Sequence, residues 1–430
     1  MNQREGLPAA LERTTAEVAA ARSAGRYLEA VALVRQCHET LHDVGDAELR
    51  PFRLRLLPLR VEWALTFALA DLTLDALRAY ERAHSEAVLL GEEETAAMLA
   101  GYAGLICALS GDLRNAAEWI AESVRLTPEG GPPHQGVRLA QAVLALDRWD
   151  DEGAEALLDT GHYPGSATTW AIHSYVESML AIAQGSPQAG LARLRAAARA
   201  HFPRTWTDGI NEWMVATAAA YLLLAGGETE EARAEVDRHS TSTDELGSEL
   251  ASAALAWARL RDGNPYRAIS IAAPFTGGAR GYPRTTVDLM LVAAVANLDL
   301  GNEEAAGRHF RSAFELARPV QLFIAFRRAT PEERTRLVAL SGVPLAQLPP
   351  GFLTVGATTR PSQLLPRLTT RERVILRHLV EGRSTDEIAA AEHVTKNTVK
   401  TQTSTLFRKL DVRNRAGAVD AAAQNPGLLG

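Results

Sequence analysis

The chain has 430 residues, too many for one ordinary hydrophobic core, so we expect two or three domains or one extended repeat array. Hydrophobic residues make up 47% and charged residues 23%, and alanine, leucine, arginine and glutamate dominate, a mixture that favours helix. All three lysines lie after residue 395, against 42 arginines in the whole chain, which excludes a P-loop, kinase or Schiff-base lysine before that point.

The charge is distributed unevenly along the chain. The formal net charge is −7, yet residues 361–430 hold 11 basic and 7 acidic residues and carry +4. The first 360 residues carry −11, because 45 acidic residues outnumber 34 basic ones. Such a surface repels a polyanion, so nucleic acid suits only the carboxy-terminal part.

Targeting signals, membrane spans and metal sites are not expected. The first residues are not followed by an apolar run of signal-peptide shape, which predicts a cytoplasmic protein. The longest uncharged stretch, residues 337–359, contains prolines and glycines that a membrane-spanning helix avoids. Cys37 and Cys107 have no disulfide or metal-ligand spacing and are expected to be buried, the histidines form no HExxH pair, and no cofactor is predicted.

A turn residue followed five positions later by a small residue recurs along the first 340 residues. Glycine at a turn admits the left-handed conformation that ends a helix, and a small residue lets the next helix approach closely. The eight pairs are Gly25 and Ala30, Asp71 and Ala76, Gly111 and Ala116, a degenerate Arg148 and Gly153, Gly185 and Gly190, Gly227 and Ala232, Gly263 and Ala268, and Gly301 and Ala306. The spacing of 36 to 46 residues predicts an α-solenoid of helical hairpins over residues 1–341.

The third unit, from Tyr102 through Gly111 and Ala116 to Pro128, closely resembles a tetratricopeptide repeat. The other units resemble that family more loosely, since they are longer than its usual length of about 34 residues. The resemblance implies that the array binds an unidentified protein, peptide or small-molecule effector on an extended concave face and performs no catalysis. Aromatic residues gathered in the fifth and sixth units are expected to pack in the core, with a ligand pocket as the alternative; they are Trp170, His173, Tyr175, Trp206 and Trp213.

The array is expected to end with one more helix, opened by a capping box at Thr330 and Glu333 with Pro331 at the first helical position. Residues 342–366 then contain five prolines and three glycines without apolar periodicity. This composition predicts a linker between the array and a second domain over residues 367–430.

Closely spaced helix starts are predicted in the second domain. Thr369 with Glu372, and Ser384 with Glu387, have the spacing of a capping box. A third helix over residues 396–410 and a fourth after Asn414 follow. The side chains expected to face the core of this domain are Val374, Ile375, Leu379, Ile388, Ala389, Val399, Leu406 and Leu410.

The opposite face of the third helix is basic and free of acidic residues. It is predicted to present Lys396, Asn397, Lys400, Thr401, Ser404 and Arg408. Residues 395–415 hold six cations and one acid. Two helices joined by a short turn, the second presenting cations and small polar groups, match a helix-turn-helix whose recognition helix enters the major groove, so double-stranded DNA is the expected partner.

Four segments, Leu368 to Glu372, Gly382 to Ala389, Thr398 to Lys400 and Lys409 to Arg415, resemble in sequence and spacing the signature of the LuxR-type helix-turn-helix family. The resemblance covers about 60 residues and implies a four-helix domain that dimerises through its fourth helix. It also implies base contacts by Lys400, Thr401 and Ser404, and phosphate contacts by Thr398 and flanking cations. The full set of predicted DNA-binding residues is Lys396, Asn397, Thr398, Lys400, Thr401, Ser404, Arg408 and Lys409.

Three positions depart from the family pattern. Gln402 stands where histidine is usual and Asp411 where glycine is usual, but glutamine can still donate to phosphate and aspartate tolerates the left-handed conformation. Glu392 stands where an apolar residue is usual. It either replaces a core side chain or marks a turn displaced by one residue.

The sequence thus predicts an all-α, cytoplasmic transcription regulator, in which the array receives a signal and a homodimeric LuxR-type domain binds DNA on a two-fold site. The alternative is an interaction scaffold whose small domain mainly dimerises, and DNA retention by the isolated segment from residue 361 would distinguish the two. An enzyme is not expected, because the sequence shows no nucleophile, metal or phosphate-binding constellation.

Overall fold

The computed structural model describes residues 3–42, 44–158, 169–201, 209–237, 246–276, 281–354, 370–392, 394–409, 414–415 and 417–419. Every regular element in these residues is a helix, which confirms the all-α prediction. The chain divides into two compact units, residues 1–358 and 359–430, and each unit has apolar core clusters of its own.

Eight helical hairpins make up most of the described part of the first unit. The paired helices are α1 (Gln3–Ser23) and α2 (Tyr27–His42), α4 (Arg53–Leu69) and α5 (Thr73–Leu90), α6 (Glu93–Ser110) and α7 (Leu113–Leu126), α8 (Gln135–Asp147) and α9 (Asp151–Leu158), α10 (Trp170–Ala183) and α11 (Pro187–His201), α12 (Ile210–Ala225) and α13 (Thr229–Asp237), α14 (Leu246–Arg261) and α15 (Pro265–Ala272), and α16 (Pro283–Asp299) and α17 (Glu303–Ala317). The short helix α3 (Asp46–Leu49) joins the first two hairpins, and α18 (Pro331–Ser341) follows the last one.

A residue with positive φ ends the first helix of every hairpin. Seven of the predicted turn positions have this conformation, with φ between 64° at Asp71 and 89° at Gly111, and the small residue five positions later is buried in each case. The degenerate fourth unit is shifted by one residue from the prediction, because positive φ occurs at Trp149 and the buried small residue is Ala154 rather than Gly153. Tryptophan rarely adopts this conformation, so its identity gives no turn signal.

The first helices of the hairpins fill the centre of the array. Helix α16 is buried without interruption from Arg284 to Leu298, and a helix with no exposed face must be surrounded by other helices. The Arg284 guanidinium donates to the carbonyls of Ala108 and Leu109 at the end of α6, about 175 residues earlier. The centre that an open solenoid leaves as a concave binding face is therefore occupied by helices of this unit in the described residues.

Polar contacts between distant hairpins hold this centre closed. Arg284 donates from Nη1 and Nη2 to the two carboxylate oxygens of Asp147, each at 2.7 Å, and both side chains are buried. Burial, the largest single cause, lowers the pKa of Arg284, but the charge and hydrogen bonds of Asp147 together with nearby Tyr175 raise that pKa above its ordinary value. The amide of Gly247 donates to the Asp71 carboxylate at 3.0 Å, across 176 residues of sequence.

A second buried carboxylate, Asp288, joins three further helices or segments to α16. It accepts hydrogen bonds from Tyr221 Oη at 2.9 Å and from Trp257 Nε1 at 2.6 Å. Arg328 Nη1 lies 3.2 Å from the same carboxylate, and its guanidinium lies 3.9 Å from the centre of the Tyr221 ring. Because breaking one bond would leave a buried polar group without a partner, these contacts fix the helices in one arrangement.

Residues 342–354 pack on the first unit, so this part of the predicted linker is not a linker. Phe352 is buried, and its ring stacks on Trp149 with 5.6 Å between centroids. The buried guanidinium of Arg334 donates to the carbonyls of Phe352 at 2.7 Å and Phe326 at 3.0 Å. The prolines and glycines form turns over a core, which composition does not distinguish from a flexible connection. Residues 355–366 lie outside the described residues.

Two local predictions for the first unit are confirmed. The Thr330 amide donates to Glu333 Oε2 at 2.8 Å and the Glu333 amide donates to Thr330 Oγ1 at 3.1 Å, which is the expected capping box. Cys37 and Cys107 are buried and unbridged, and burial raises their pKa to about 11 and about 12. No described helix is both long enough and apolar enough to cross a membrane.

Candidate nucleic-acid interface

The second unit contains three described helices and the beginning of a fourth. They are α19 (Thr370–Val380), α20 (Thr385–Ala391) and α21 (Lys396–Lys409). The fourth helix begins after Asn414, whose side-chain oxygen accepts a hydrogen bond from the Gly417 amide at 3.0 Å. Residues 420–430 lie outside the described residues, so only the start of this helix is described.

Apolar side chains from all four helices form one small core. Its buried members are Ile375, Leu376, Leu379, Ile388, Ala389, Val399, Leu406 and Ala418. One of the three core residues predicted for α19 was wrong, because Val374 is only half-buried, whereas Leu376, which was not predicted, is buried. Leu410, also predicted for the core, lies outside the described residues.

Hydroxyl groups start both helices of the helix-turn-helix. The Glu387 amide donates to Ser384 Oγ at 3.3 Å and the Ser384 amide donates to Glu387 Oε2 at 2.7 Å, which confirms the capping box of α20. Thr395 Oγ1 accepts from the Thr398 amide at 3.1 Å and so caps the start of α21. The capping box predicted at Thr369 lies outside the described residues.

Arg415 joins the start of the fourth helix to the end of α19 and to the turn before α20. Its guanidinium donates to the Leu379 carbonyl at 2.8 Å and to the Arg383 carbonyl at 2.7 Å. Arg415 is one of the six cations of residues 395–415 that were expected to favour DNA. In the structure, its guanidinium donates instead to carbonyls at the end of α19 and in the turn before α20. Arg415 is therefore a positioning residue, which its charge alone could not indicate.

Glu392 does not enter the core of the second unit. It follows the last residue of α20, and its Oε1 lies 2.9 Å from Nε2 of His378 on α19. Its side chain is 29% exposed. A polar contact between two helices therefore takes the place of the apolar contact usual at this position.

The two other departures from the family pattern differ in what the structure describes. The Oε1 atom of Gln402 is buried without a hydrogen-bond partner in the described part of the chain, while the rest of this side chain is half-buried. Asp411 lies outside the described residues. Phosphate contact by Gln402 remains an expectation.

Five of the eight predicted DNA-binding side chains lie on an exposed face of α21. Those that are exposed are Lys396, Asn397, Lys400, Thr401 and Ser404, while Thr398 is half-buried. Val399 and Leu406 face the opposite way and are buried. Arg408 and Lys409 belong to the same helix, but their side chains lie outside the described residues.

The exposed side chains of α21 differ in their existing contacts. Lys396 Nζ lies 2.8 Å from Asp386 Oδ2 on α20, a contact between helices that the sequence did not reveal. Lys400 has no ion-pair partner within the described residues. The Thr401 hydroxyl donates to the Asn397 carbonyl at 3.0 Å, which leaves its oxygen as an acceptor.

The described aromatic residues of the fifth and sixth hairpins differ in their contacts. Trp170 is buried and stacks on His201 with 5.0 Å between centroids, while Nδ1 of His173 lies 3.4 Å from Glu177. Tyr175 is buried. Trp206 lies outside the described residues.

Comparisons with known proteins find similarity over short parts of this chain. Residues 366–422 match the family described as bacterial regulatory proteins, luxR family. The response regulator protein VraR of Staphylococcus aureus is 44% identical over 64 residues, and VraR proteins of Staphylococcus saprophyticus and Staphylococcus epidermidis are equally similar. The aligned part is 15% of this chain and 31% of each relative, so the chain covers less than a third of the length of these relatives.

Proposed function

We propose that this chain, whose residues 366–422 form a LuxR-family helix-turn-helix domain, is a sequence-specific DNA-binding transcription regulator. The observation that carries the proposal is the exposed face of α21, where cations and small polar groups stand opposite a buried apolar face. Recognition helices of this motif lie in the major groove, while the preceding helix crosses the phosphate backbone. The positive charge of residues 361–430 favours the same partner.

The roles proposed for individual residues of α21 are those that the family resemblance implies, and the donors and acceptors of the side chains suit them. Lys400 can donate to the acceptors on the major-groove edge of guanine, Thr401 and Ser404 can hydrogen-bond to base edges, and the Thr401 methyl can contact a thymine methyl group. We assign phosphate contacts to Thr398 and to the cations Lys396, Arg408 and Lys409, with Asn397 at the same face. The phosphate contacts would set the register of the domain on the DNA, whereas the base contacts of Lys400, Thr401 and Ser404 would supply sequence preference.

Substitution of Lys400 tests the assignment directly. Full-length wild-type protein would first select its preferred sites from a random duplex library, and binding would then be measured by gel shift in rising salt. We expect Lys400→Ala to weaken specific binding by about tenfold or more. Arg371→Ala removes another exposed cation, from α19, and should change binding by less than about twofold.

Two results would contradict these proposals. Unchanged binding by Lys400→Ala would remove the role given to this residue. Failure of the wild-type protein to select any sequence would contradict specific DNA binding by the chain, whatever the behaviour of its variants.

We also propose that the protein binds DNA as a homodimer through the fourth helix, which begins after Asn414. Helix-turn-helix dimers bind two half-sites, so the two-fold axis of the protein matches that of the site. Sedimentation velocity with duplexes carrying one or two half-sites should give a complex of two chains on the longer duplex. A single chain on both duplexes would contradict the dimer.

The first unit is proposed to receive the signal. Its acidic sequence is unsuited to contact DNA, and its hairpins form a compact unit separate from the DNA-binding domain. The effector would be a protein, a peptide or a small molecule. A duplex DNA partner agrees with the cytoplasmic location expected from the sequence.

A further inference from the structure

A cavity of about 250 Å³ opens between α2, α4 and α5 of the first unit. Four arginines, one aspartate, one histidine and two aromatic rings line it, namely Arg35, Arg60, Arg78, Arg82, Asp75, His38, Trp63 and Phe67. With a neutral histidine, four arginines against one aspartate give this lining a formal charge of +3. The concentration of cations is contrary to the charge of the unit, because the first 360 residues carry −11.

The cations on the outer side of the cavity have little compensation from the protein. Arg78 and Arg82 lie one turn apart on α5, are exposed, and have no ion-pair partner among the described residues. Arg35 Nη2 approaches Asp75 Oδ2 only to 3.9 Å. Guanidinium groups gathered around one cavity repel each other, and a bound anion would relieve that repulsion.

Two buried aromatic rings line the inner side of the cavity. Trp63 and Phe67 are buried in α4, and the His38 ring lies against them with centroid distances of 5.1 and 5.9 Å. Burial, together with neighbouring arginines, lowers the pKa of His38, so the ring offers a neutral donor and acceptor. Arg60 is held in the wall by an ion pair with Glu86 at 2.5 Å.

We propose that this cavity binds a small molecule that carries a phosphate ester. The phosphate is held by Arg78 and Arg82, whose planar donors match its oxygens, and an apolar ring or chain lies toward Trp63 and Phe67. A phosphate monoester concentrates nearly two negative charges on one group at neutral pH, so Arg78 and Arg82 can share it, whereas a dicarboxylate divides the same charge between two groups. The volume suits one small ligand rather than a peptide or a folded partner.

This inference names a site and a ligand class for the effector. It rests on the proposed function, because the ligand is an effector only if the protein is a regulator. Isothermal titration calorimetry on the full-length protein tests it with three probes: phenyl phosphate, adenosine 5′-monophosphate and the dicarboxylate phthalate. We expect both phosphate esters to bind and phthalate to bind more weakly. Arg78→Gln with Arg82→Gln should weaken phosphate-ester binding by about tenfold or more.

A matched control pair exists on α11, where Arg195 and Arg199 are also exposed and one turn apart. Arg195→Gln with Arg199→Gln removes the same charge and should leave phosphate-ester binding unchanged. Asp75→Asn removes the carboxylate from the lining and should strengthen binding by a few-fold.

The proposal is overturned if neither phosphate ester binds, if the two double variants bind equally, or if phthalate binds more tightly than phenyl phosphate. Gel shifts without added ligand measure DNA binding separately. DNA binding without phosphate-ester binding would contradict the cavity proposal but not the proposed function as a regulator. Phosphate-ester binding without any DNA binding would contradict the proposed function but not the cavity proposal.

Discussion

Lys396 and Lys400 stand one turn apart on α21 but differ in their contacts before any DNA binds. Lys396 pairs with Asp386 on the neighbouring helix, and both side chains are more than half exposed. An exposed ion pair of this kind contributes about 0–1 kcal/mol, so a phosphate can compete for the lysine. Asp386 therefore lowers the effective charge of the interface without blocking it.

Neutralising Asp386 should strengthen DNA binding. We expect Asp386→Asn to raise the affinity a few-fold and to make the slope of log K against log salt steeper by up to about one, since Lys396 is then free to neutralise one phosphate. Fluorescence anisotropy over a salt series measures both quantities. Glu118→Gln makes the same charge change at an exposed position of the array and should leave both unchanged. Weaker binding by Asp386→Asn would contradict this account.

The capping box of α20 should make the second unit sensitive to acid. Hydrogen bonds from the Ser384 amide and hydroxyl lower the pKa of Glu387. A carboxylate with a lowered folded-state pKa contributes stability that is present above its unfolded pKa, about 4.3, and is lost as the pH falls through the folded value. Glu387→Gln should therefore lower the melting temperature at neutral pH and make progressively less difference below about pH 4.

Differential scanning calorimetry of the full-length protein over a pH series checks this expectation. Ser384→Ala should destabilise the same helix by about 1 kcal/mol at neutral pH, because it removes the cap. A Glu387→Gln difference that keeps its full size in acid would contradict the proposed linkage.

The hairpins could be predicted from sequence because each turn has a local cause. A left-handed residue and a small residue five positions later are required wherever two helices meet closely, and that spacing is visible without a structure. The fourth unit was displaced by one residue because Trp149 occupies the left-handed position. The pattern also omitted Gly91, a left-handed residue with φ of 76° that joins one hairpin to the next rather than two helices of one hairpin.

Two turn glycines with similar backbones should respond differently to alanine. A Cβ on Gly111 would lie 2.5 Å from the Arg284 amide nitrogen, whereas a Cβ on Gly301 would meet no atom within 4 Å. Gly301→Ala should cost about 1–2 kcal/mol of backbone strain. Gly111→Ala should cost at least about 2 kcal/mol more, because the backbone of α16 must move. Urea unfolding of both variants measures the difference, and equal losses would contradict close packing at Gly111.

The division of the molecule into two parts, and the exposed polar face of α21, could be predicted from charge, composition and periodicity. The closed centre of the array does not, because it depends on contacts such as Arg284 with Asp147 and Asp71 with Gly247, which lie about 140 and 176 residues apart in the sequence. The hydrogen bond from Arg415 to the Leu379 carbonyl could not be predicted from the sequence either, because it depends on where the fourth helix begins. Local sequence patterns predict where a helix begins, where it ends and which of its faces is buried. They do not predict which residues of distant helices contact each other.

The Arg284 and Asp147 pair provides a test of whether that closure stabilises the first unit. Arg284→Met leaves a buried carboxylate without its partner and should lower the free energy of unfolding by about 3–5 kcal/mol. Adding Asp147→Leu removes the orphaned charge and should recover a large part of the loss, because a well-packed apolar pair can replace a buried ion pair. All seven tryptophans lie between residues 63 and 257, so urea unfolding followed by their fluorescence reports on this unit alone.

A double variant no more stable than Arg284→Met would show that the carboxylate is not the source of the loss. A single variant as stable as the wild type would show that the centre does not depend on the pair.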